Sequence, residues 1–320
     1  MTRVLLTGGS GFIGGYLGPR LEEDGYEVIS FVRHISKRDN PVTFGKVLNV
    51  DLTDFDAVTC KVADLQPEII VNLAAQSLVA YSFEHVMEVA GVDYLGAVNL
   101  MEAAQKHCRH LKLFLQASTS EVYGYQTEFP TRETAEKKPH CPYSIAKHAV
   151  DNYAKYLHLA RGFPYFLIRN FNTYGEKDSI RRVTEKAVAG MLTCETVKLG
   201  DPDAVRDFLY VDDSIDAYMK IINECLTGDE MNVCTGTGIT IRDWVFKIAD
   251  LIDFKGKIVF NTAYKRPTDI PILIGCNQKA RETLGWKPRY THEEGILETI
   301  PKVKSFLERH PEAASVGGWS

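Results

Sequence analysis

Short apolar runs alternate with longer amphipathic stretches along the first half of the chain. The runs have the length of strands buried on both faces, and the stretches between them repeat apolar residues at helical spacing. Six runs predict strands at residues 4–7, 27–32, 46–50, 68–72, 112–117 and 165–169. Because strands alternate with helices, the pattern predicts an α/β fold with a doubly wound parallel sheet.

Local signals mark helix starts, and the pattern changes in the second half of the chain. Asp54 is predicted to cap one helix, and Pro142 suits the first turn of another, which Gly162 is predicted to end. After about residue 171 the predicted strands become scattered, at residues 196–199 and 257–260, and turns with Pro and Gly multiply. We therefore expect a first lobe of residues 1–171, with a returning segment at about 207–230, and a smaller lobe made mainly by residues 172–320.

Composition and charge exclude several classes of protein. The chain has 320 residues, of which 45% are hydrophobic and 25% charged, as in an ordinary globular protein. A net charge of −5 argues against nucleic acid or an anionic membrane as the main partner. Seven cysteines without a C-x-x-C pair, and no apolar leader, predict a cytoplasmic protein with reduced thiols. No histidine spacing suggests a metal site, so none is expected.

A glycine pattern joins the first predicted strand to the first predicted helix. Glycines at this position let the backbone approach a pyrophosphate, which meets the positive end of the helix. The strand before the pattern and the helix after it favour a dinucleotide cofactor over the alternative, a glycine-rich turn that binds no ligand. The predicted cofactor contacts here are Gly8, Gly11, Phe12, Ile13 and Gly14.

The residues after the second and third strands bear on which dinucleotide binds. NAD-binding proteins place an acid after the second strand, but this chain has Arg33 there, followed by Lys37 and Arg38. A cation suits the 2′-phosphate of NADP, which is therefore preferred over NAD; the alternative is that these are solvated surface cations. Asp51 is predicted to meet the adenine amino group, or else to cap a turn.

Tyr143 and Lys147 are four residues apart on a predicted helix and so share one face. An ammonium beside a phenol favours the phenolate and is expected to lower its pKa. Such a pair can take a proton from a sugar hydroxyl while a nicotinamide takes hydride. Glu121, at the tip of the preceding strand, adds a second base in the ligand crevice. The alternatives are an ordinary helix pair and an exposed carboxylate at a strand end.

Together these residues resemble the extended short-chain dehydrogenase/reductase family, and within it the nucleotide-sugar 4,6-dehydratases, above all those acting on GDP-mannose. The resemblance implies a Rossmann-type sheet with a smaller C-terminal substrate lobe. It covers nearly the whole chain. Besides the glycine loop, the matching motifs are Asp51-Leu52, Asn72-Leu73-Ala74-Ala75-Gln76-Ser77, Ser118-Thr119-Ser120-Glu121, Tyr143-x-x-x-Lys147, Val183-Thr184-x-Lys186, Arg206-Asp207-Phe208 and Arg266-Pro267.

The resemblance also implies roles for individual residues. Thr119 would bind the sugar O4 beside Tyr143, Ser120 would assist as a donor, and Glu121 would be the acid/base of an elimination. Further cofactor contacts would come from Leu52, Leu73, Ala74 and Ala75. Substrate contacts would come from Ser77, Glu84, Asn172, Val183, Lys186, Arg206 and Arg266. The alternative for the two arginines is a role in surface ion pairs.

The implied reaction is the conversion of a nucleotide-diphosphate hexose, best GDP-mannose, to its 4-keto-6-deoxy derivative. It comprises C4 oxidation, loss of water across C5 and C6, and hydride return to C6. A nucleotide-sugar 4-epimerase or 4-keto reductase would need no base at Glu121, and a non-catalytic NADP-binding sensor would need no Tyr143. Apolar faces at residues 92–103 and 146–157 predict a homodimer or homotetramer; the alternative is that they only cover the sheet.

Overall fold

The computed structural model describes residues 1–33, 41–261 and 268–315. The strands are β1 (Arg3–Thr7), β2 (Glu27–Val32), β3 (Lys46–Asn49), β4 (Ile69–Asn72), β5 (Leu113–Thr119), β6 (Tyr165–Asn170), β7 (Asn172–Tyr174), β8 (Thr196–Leu199), β9 (Val205–Arg206), β10 (Phe208–Tyr210), β11 (Asp229–Val233), β12 (Ile239–Thr240), β13 (Lys257–Phe260) and β14 (Ile272–Leu273). The α-helices are α1 (Phe12–Glu23), α2 (Phe55–Leu65), α3 (Val79–Glu84), α4 (Val86–Val89), α5 (Gly96–His107), α6 (Pro142–Arg161), α7 (Val183–Thr193), α8 (Val211–Glu224), α9 (Ile241–Ile252), α10 (Gln278–Leu284), α11 (His292–Arg309) and α12 (Pro311–Ser315). A π-helical turn (Ala90–Leu95) joins α4 to α5, and a 3-10 turn (Ser120–Tyr123) follows β5.

A seven-stranded sheet forms the centre of the molecule. Its strand order is β11-β6-β5-β4-β1-β2-β3, and every pair of neighbours is parallel. All six strands predicted for the first half of the chain are confirmed, and so is the doubly wound α/β class. The seventh strand, β11, was not predicted.

Side chains of the central strands pack alternately into two apolar layers, one on each face of the sheet. In β1, Val4 and Leu6 join the layer with Leu17 of α1, whereas Leu5 joins the layer with Val58 of α2 and Leu100 of α5. Successive residues of a strand point to opposite faces, so a strand covered on both faces must be apolar throughout. This requirement is why the buried strands could be identified from the sequence.

The helix boundaries follow the local signals. Asp54 Oδ1 accepts a hydrogen bond from the backbone N–H of Ala57 at 3.0 Å, as a cap does. Pro142 is the first residue of α6, and Gly162 ends that helix with a φ of 69°. Thus α6, which carries Tyr143 and Lys147, begins and ends where the sequence predicted.

The second half of the chain adds three small sheets, in the orders β10-β7, β12-β9-β14 and β13-β8. From this half α8 returns to pack against α1, and β11 extends the central sheet beside β6. The division into lobes at residues 171 and 172 stays a prediction. Within the described ranges, no helix has the length and apolarity needed to cross a bilayer. The cytoplasmic location stays a prediction from the sequence.

Candidate active site

The carboxyl ends of the parallel strands meet at one edge of the sheet, and the predicted site residues gather there. The loop after β1 holds the glycines, the loop after β4 begins at Leu73, and the 3-10 turn after β5 holds Glu121. β1 lies between β2 and β4, so the strand order reverses there: β2 and β3 lie on one side of β1, and β4, β5 and β6 lie on the other. A crevice opens at such a switch point, where ligands of doubly wound sheets bind.

The glycine loop is packed too closely for side chains. A Cβ on Gly8, whose φ is 69°, would lie 2.9 Å from the backbone of Leu73 and Ala74. A Cβ on Gly14 would lie 2.3 Å from the Gly8 carbonyl oxygen. The loop is closed by Gly11 N–H, which donates to the Gly8 carbonyl at 2.9 Å, and it leads directly into α1 at Phe12 and Ile13. This backbone cradle at a helix start fits the pyrophosphate of a dinucleotide.

The adenosine side of the predicted cofactor site contains Arg33, directly after β2. Its Nη1 lies 3.8 Å from Glu88 Oε1, and about a third of its side chain is exposed. Asp51 Oδ1 accepts hydrogen bonds from the backbone and hydroxyl of Thr53 at 2.9 and 2.8 Å, so it caps a turn as one alternative proposed. The neighbouring Leu52 carbonyl accepts from Asn99 Nδ2 at 2.9 Å. Lys37 and Arg38 lie outside the described residues.

A chain of buried hydrogen bonds runs beneath the crevice across β1, β4 and β5. Thr7 Oγ1 donates to Asn72 Oδ1 at 2.5 Å, and Asn72 Nδ2 donates to Gln116 Oε1 at 2.8 Å. Gln116 Nε2 and Lys147 Nζ then both donate to the Ala117 carbonyl at 2.8 Å. This series of hydrogen bonds therefore fixes the amino group of Lys147 relative to the glycine loop.

Tyr143 is buried in the first turn of α6 and hydrogen-bonded to the Thr119 hydroxyl. Burial raises the pKa of the phenol, the Asp93 carboxylate raises it further, and the bond from Thr119 lowers it only in part. Burial likewise lowers the pKa of Lys147. The predicted lowering of the Tyr143 pKa is thus wrong, because desolvation outweighs the hydrogen bond from Thr119.

Glu121 lies beside the start of α6. Thr119 Oγ1 accepts a hydrogen bond from the Glu121 backbone N–H at 3.2 Å, which orients the 3-10 turn. Glu121 Oε2 lies 3.3 Å from Nε2 of His140, two residues before α6, and 15% of its side chain is exposed. Its negative charge also raises the pKa of Tyr143, so the two groups belong to one site. Ser120, the residue between Thr119 and Glu121, is buried.

The predicted substrate residues of the second lobe lie on β7, α7 and β9, which follow β6 along the chain. Asn172 begins β7, and within the described part of the chain its buried Oδ1 has no hydrogen-bond partner. Val183 begins α7, and one turn later burial lowers the pKa of Lys186. Arg206 in β9 is buried and donates to the Val205 carbonyl at 2.9 Å.

Of the other three predicted substrate residues, the structure describes Ser77 and Glu84. Ser77 Oγ accepts from Arg182 Nη2 at 3.4 Å, so the loop after β4 contacts the start of α7. Glu84 ends α3 with an exposed side chain. Arg266 lies outside the described residues. The substrate roles of all these residues stay predictions.

Arg182 is a candidate site residue that the sequence analysis missed. Its Nε lies 3.3 Å from Glu176 Oε2, and its guanidinium lies 5.4 Å from the centre of the Phe12 ring. With its bond to Ser77, it connects the glycine loop, the loop after β4 and the second lobe. The available signal was its position directly before Val183, the first residue of the predicted substrate segment.

Asp93, in the π-helical turn, was also missed. The residue is 1% exposed, and its Oδ1 accepts a hydrogen bond from the Gln76 backbone N–H at 2.7 Å. Burial raises its pKa, while the charge of Lys147 lowers it. The signal in the sequence was an isolated acid in an otherwise apolar stretch. The arrangement fixes the loop after β4 next to the Tyr143–Lys147 pair.

Glu176→Gln should stabilise the protein increasingly as pH rises. Burial raises the pKa of Glu176 from its ordinary 4.5 to about 7, so ionisation between these values destabilises the folded state despite Arg182. We expect an advantage of up to about 3 kcal/mol at pH 8, fading towards pH 4.5. Urea unfolding over a pH series measures it, with the exposed Glu128→Gln as the matched control. An advantage independent of pH would contradict the prediction.

The comparisons with known proteins agree with this geometry. Residues 5–299 match the model of the family described as GDP-mannose 4,6 dehydratase. The chain is 31% identical to GDP-mannose 4,6-dehydratase of Yersinia enterocolitica, over 94% of this chain and 93% of that protein. It is 28% identical to the structure of UDP-glucose 4-epimerase with UDP-glucose from Thermotoga maritima, with a TM-score of 0.86 over 96% of this chain and all of the other. It is also similar to the Thermus thermophilus UDP-glucose 4-epimerase complex with NAD, at 27% identity and a TM-score of 0.85 over 95% and 99% of the two chains.

Proposed function

Since the chain belongs to the family of GDP-mannose 4,6-dehydratases, within the extended short-chain dehydrogenases/reductases, we propose that it is a nucleotide-sugar 4,6-dehydratase with GDP-mannose as its substrate. The observation that carries this proposal is the Glu121 carboxylate, 15% exposed and beside the helix start that holds Tyr143. An enzyme that only oxidises or epimerises at C4 needs the tyrosine but not a second acid/base group. The glycine cradle supports a pyridine nucleotide as the cofactor.

The first step belongs to Tyr143, which receives the proton of the C4 hydroxyl. Thr119 holds the phenol by a hydrogen bond and is placed to bind the same sugar oxygen. When bound, the oxidised nicotinamide supplies reversible hydride acceptance and a positive charge that counters the burial of the phenolate. Lys147, whose amino group donates to the Ala117 carbonyl, is the second cation that we assign to the phenolate, one helical turn from Tyr143. These groups thus favour the deprotonation of a phenol whose pKa is raised by burial.

The second step belongs to Glu121. A ketone at C4 acidifies the proton on C5, and a carboxylate can remove it. The same carboxyl group then protonates the hydroxyl leaving C6, so one water is lost and the sugar becomes a 4-keto-5,6-ene before its reduction at C6. Catalysis of this kind contributes about 10²- to 10⁴-fold.

Cations of the second lobe support a diphosphate substrate. Lys186 and Arg206 come from separate elements of the second lobe, and Arg182 lies between that lobe and the glycine loop. The buried Oδ1 of Asn172, without a partner in the described ranges, is a further polar atom that a ligand would satisfy. We propose that these residues hold the diphosphate and nucleoside.

Mass spectrometry after incubation with GDP-, UDP-, dTDP- and CDP-hexoses tests the proposed function. The product of a dehydratase is lighter than its substrate by one water, whereas the product of an epimerase has the same mass. We expect water loss with GDP-mannose. Turnover of every nucleotide sugar without loss of water would refute dehydration.

A nucleotide-sugar 4-epimerase is the second candidate, favoured by the fold similarity to UDP-glucose 4-epimerases at TM-scores of 0.86 and 0.85. It would use Tyr143, Lys147 and Thr119 in the same way and return hydride to C4 on the opposite face. Glu121 would then be dispensable. An epimer of unchanged mass that persists in Glu121→Gln would favour this candidate over dehydration.

Arg33→Asp should change the choice of cofactor from NADP to NAD. We propose NADP because the position after β2 holds a cation and not the acid that binds the ribose of NAD. Loss of one charge-assisted contact should weaken NADPH binding about 10- to 100-fold. Fluorescence titration with NADPH and NADH measures this, with the exposed Arg20→Asp as the control. Equal binding of the two cofactors by the unaltered protein would contradict the proposal.

We propose that the protein is at least a homodimer, assembled through α6. Ile145, Tyr156 and Leu159 are 55%, 51% and 86% exposed and share one face of this long helix. Exposed apolar residues on one helix face suit an interface between copies. Light scattering should give at least twice the monomer mass of 35.9 kDa, and the double change of Ile145 and Leu159 to lysine should give the monomer. Leu297→Lys, at an exposed leucine of α11, should leave the mass unchanged.

A further inference from the structure

His140 is in direct contact with the proposed acid/base of the elimination. Its Nε2 lies 3.3 Å from Glu121 Oε2, and only 7% of its side chain is exposed. Within the described ranges, His140 is the side chain that the Glu121 carboxylate contacts through a polar atom. No sequence motif singled out this histidine, because its position depends on how the segment before α6 folds back onto the 3-10 turn.

The backbone of His140 is held on both sides. Its N–H donates to Ser144 Oγ at 3.0 Å, and its carbonyl accepts from Thr268 Oγ1 at 2.8 Å. Ser144 is fully buried and directly follows Tyr143 on α6, whereas Thr268 belongs to the second lobe. The imidazole is therefore placed relative to Tyr143 and not only relative to Glu121.

We infer that His140 is a positioning residue for Glu121, donating its Nε2–H to Oε2 so that Oε1 handles the protons of the substrate at C5 and C6. This inference rests on the proposed dehydration. A carboxyl group has two oxygens that exchange places by rotation, and a donor fixed on one of them selects the other for catalysis.

In the kinetic test, the rates of C4 oxidation and of elimination are measured separately for His140→Leu. Elimination should slow by about 10- to 100-fold, less than the loss of the base itself, because the carboxylate is misplaced and not removed. Oxidation at C4 should keep its rate, so reduced nicotinamide should accumulate transiently by absorbance in stopped flow. His140→Gln, which keeps a donor, should recover much of the elimination rate. Equal slowing of both steps, or no recovery with glutamine, would overturn the inference.

A double-mutant cycle distinguishes this role from structural support. If His140 acts through Glu121, then His140→Leu should have no further effect on elimination in a protein that already carries Glu121→Gln. Effects that multiply would show that the two residues act separately, and the inference would fail.

A measurement without turnover keeps the test independent of the proposed function. In NMR titration of the isotope-labelled protein, the imidazole resonance assigned through His140→Gln should have a lower pKa in Glu121→Gln than in the unaltered chain, because a neighbouring carboxylate favours the imidazolium. An unchanged pKa would overturn the pairing even if water loss is observed. If no nucleotide sugar loses water, the proposed function fails, and so does the role of His140 in positioning Glu121 for elimination. The titration still shows whether His140 and Glu121 interact.

Discussion

Glu121→Gln should abolish the release of water while leaving oxidation at C4 intact. The amide has the size of the carboxyl group but cannot accept the C5 proton, so the reaction should stop at the 4-ketone. Tyr143, Thr119 and Lys147 are unchanged and can still complete the first step. We expect the rate of dehydration to fall by about 10²- to 10⁴-fold. Mass spectrometry measures the missing water loss, and the absorbance of reduced nicotinamide measures the retained oxidation.

Glu128→Gln is the matched control for this change, because Glu128 is an exposed glutamate in the segment that follows the 3-10 turn. It should dehydrate the substrate at the rate of the unaltered enzyme. Two outcomes would contradict the assignment of Glu121: dehydration at the normal rate in Glu121→Gln, or loss of C4 oxidation together with dehydration. The second would show that the change disturbs Tyr143 and not the elimination alone.

The central sheet could be predicted because its strands are covered on both faces. In β1, for example, four successive residues from Val4 to Thr7 are buried. The edge strand β11 begins with the acids Asp229 and Glu230 and also contains Asn232, so it has no such apolar run. In the second lobe the two predicted strands, residues 196–199 and 257–260, are confirmed as β8 and β13. The other strands of the small sheets have only two or three residues, too short for a pattern to emerge.

The parts of the site that could be predicted are those set by local spacing. The glycine loop and the Tyr143–Lys147 pair each belong to one turn of chain, so their geometry follows from the sequence alone. Arg182 and His140 lie on segments that connect helices and strands. Arg182 contacts Ser77, which is distant in sequence. His140 contacts Glu121, from which it is separated by a segment of irregular backbone. Only the tertiary path of those segments brings the pairs together.

The raised pKa of Tyr143 illustrates a second limit of sequence reasoning. Spacing places Lys147 beside the phenol, but spacing does not reveal how far both groups are removed from water. In the structure burial dominates the pKa of each group, and Asp93 adds a negative charge from a π-helical turn. The sign of the shift therefore depended on packing that only the fold specifies.

A buried ionic network holds α6 against the sheet behind the site. Arg169 of β6 is fully buried, and its Nη2 contacts Asp151 Oδ2 at 3.0 Å and Glu230 Oε2 at 2.8 Å. Asp151 also accepts from Ser118 Oγ at 2.9 Å, which joins the helix to β5 beside the strand end that leads to Glu121. Burial alone would raise the pKa of Glu230, but the hydrogen bond and charge of Arg169 outweigh it and hold that pKa well below its usual range.

Arg169→Met should destabilise the protein by about 3 to 5 kcal/mol, because it leaves the buried Asp151 without its cation. Methionine fills much of the volume of the arginine stem, so the loss reflects charge and not a cavity. Urea unfolding followed by circular dichroism measures the free energy of unfolding. Lys155→Met is the matched control: its ammonium contacts the same Glu230 oxygen at 2.5 Å, but 36% of its side chain is exposed. It should cost less than about 1 kcal/mol. Equal losses in the two variants would mean that burial does not govern this network, and that Arg169 contributes no more than a surface ion pair.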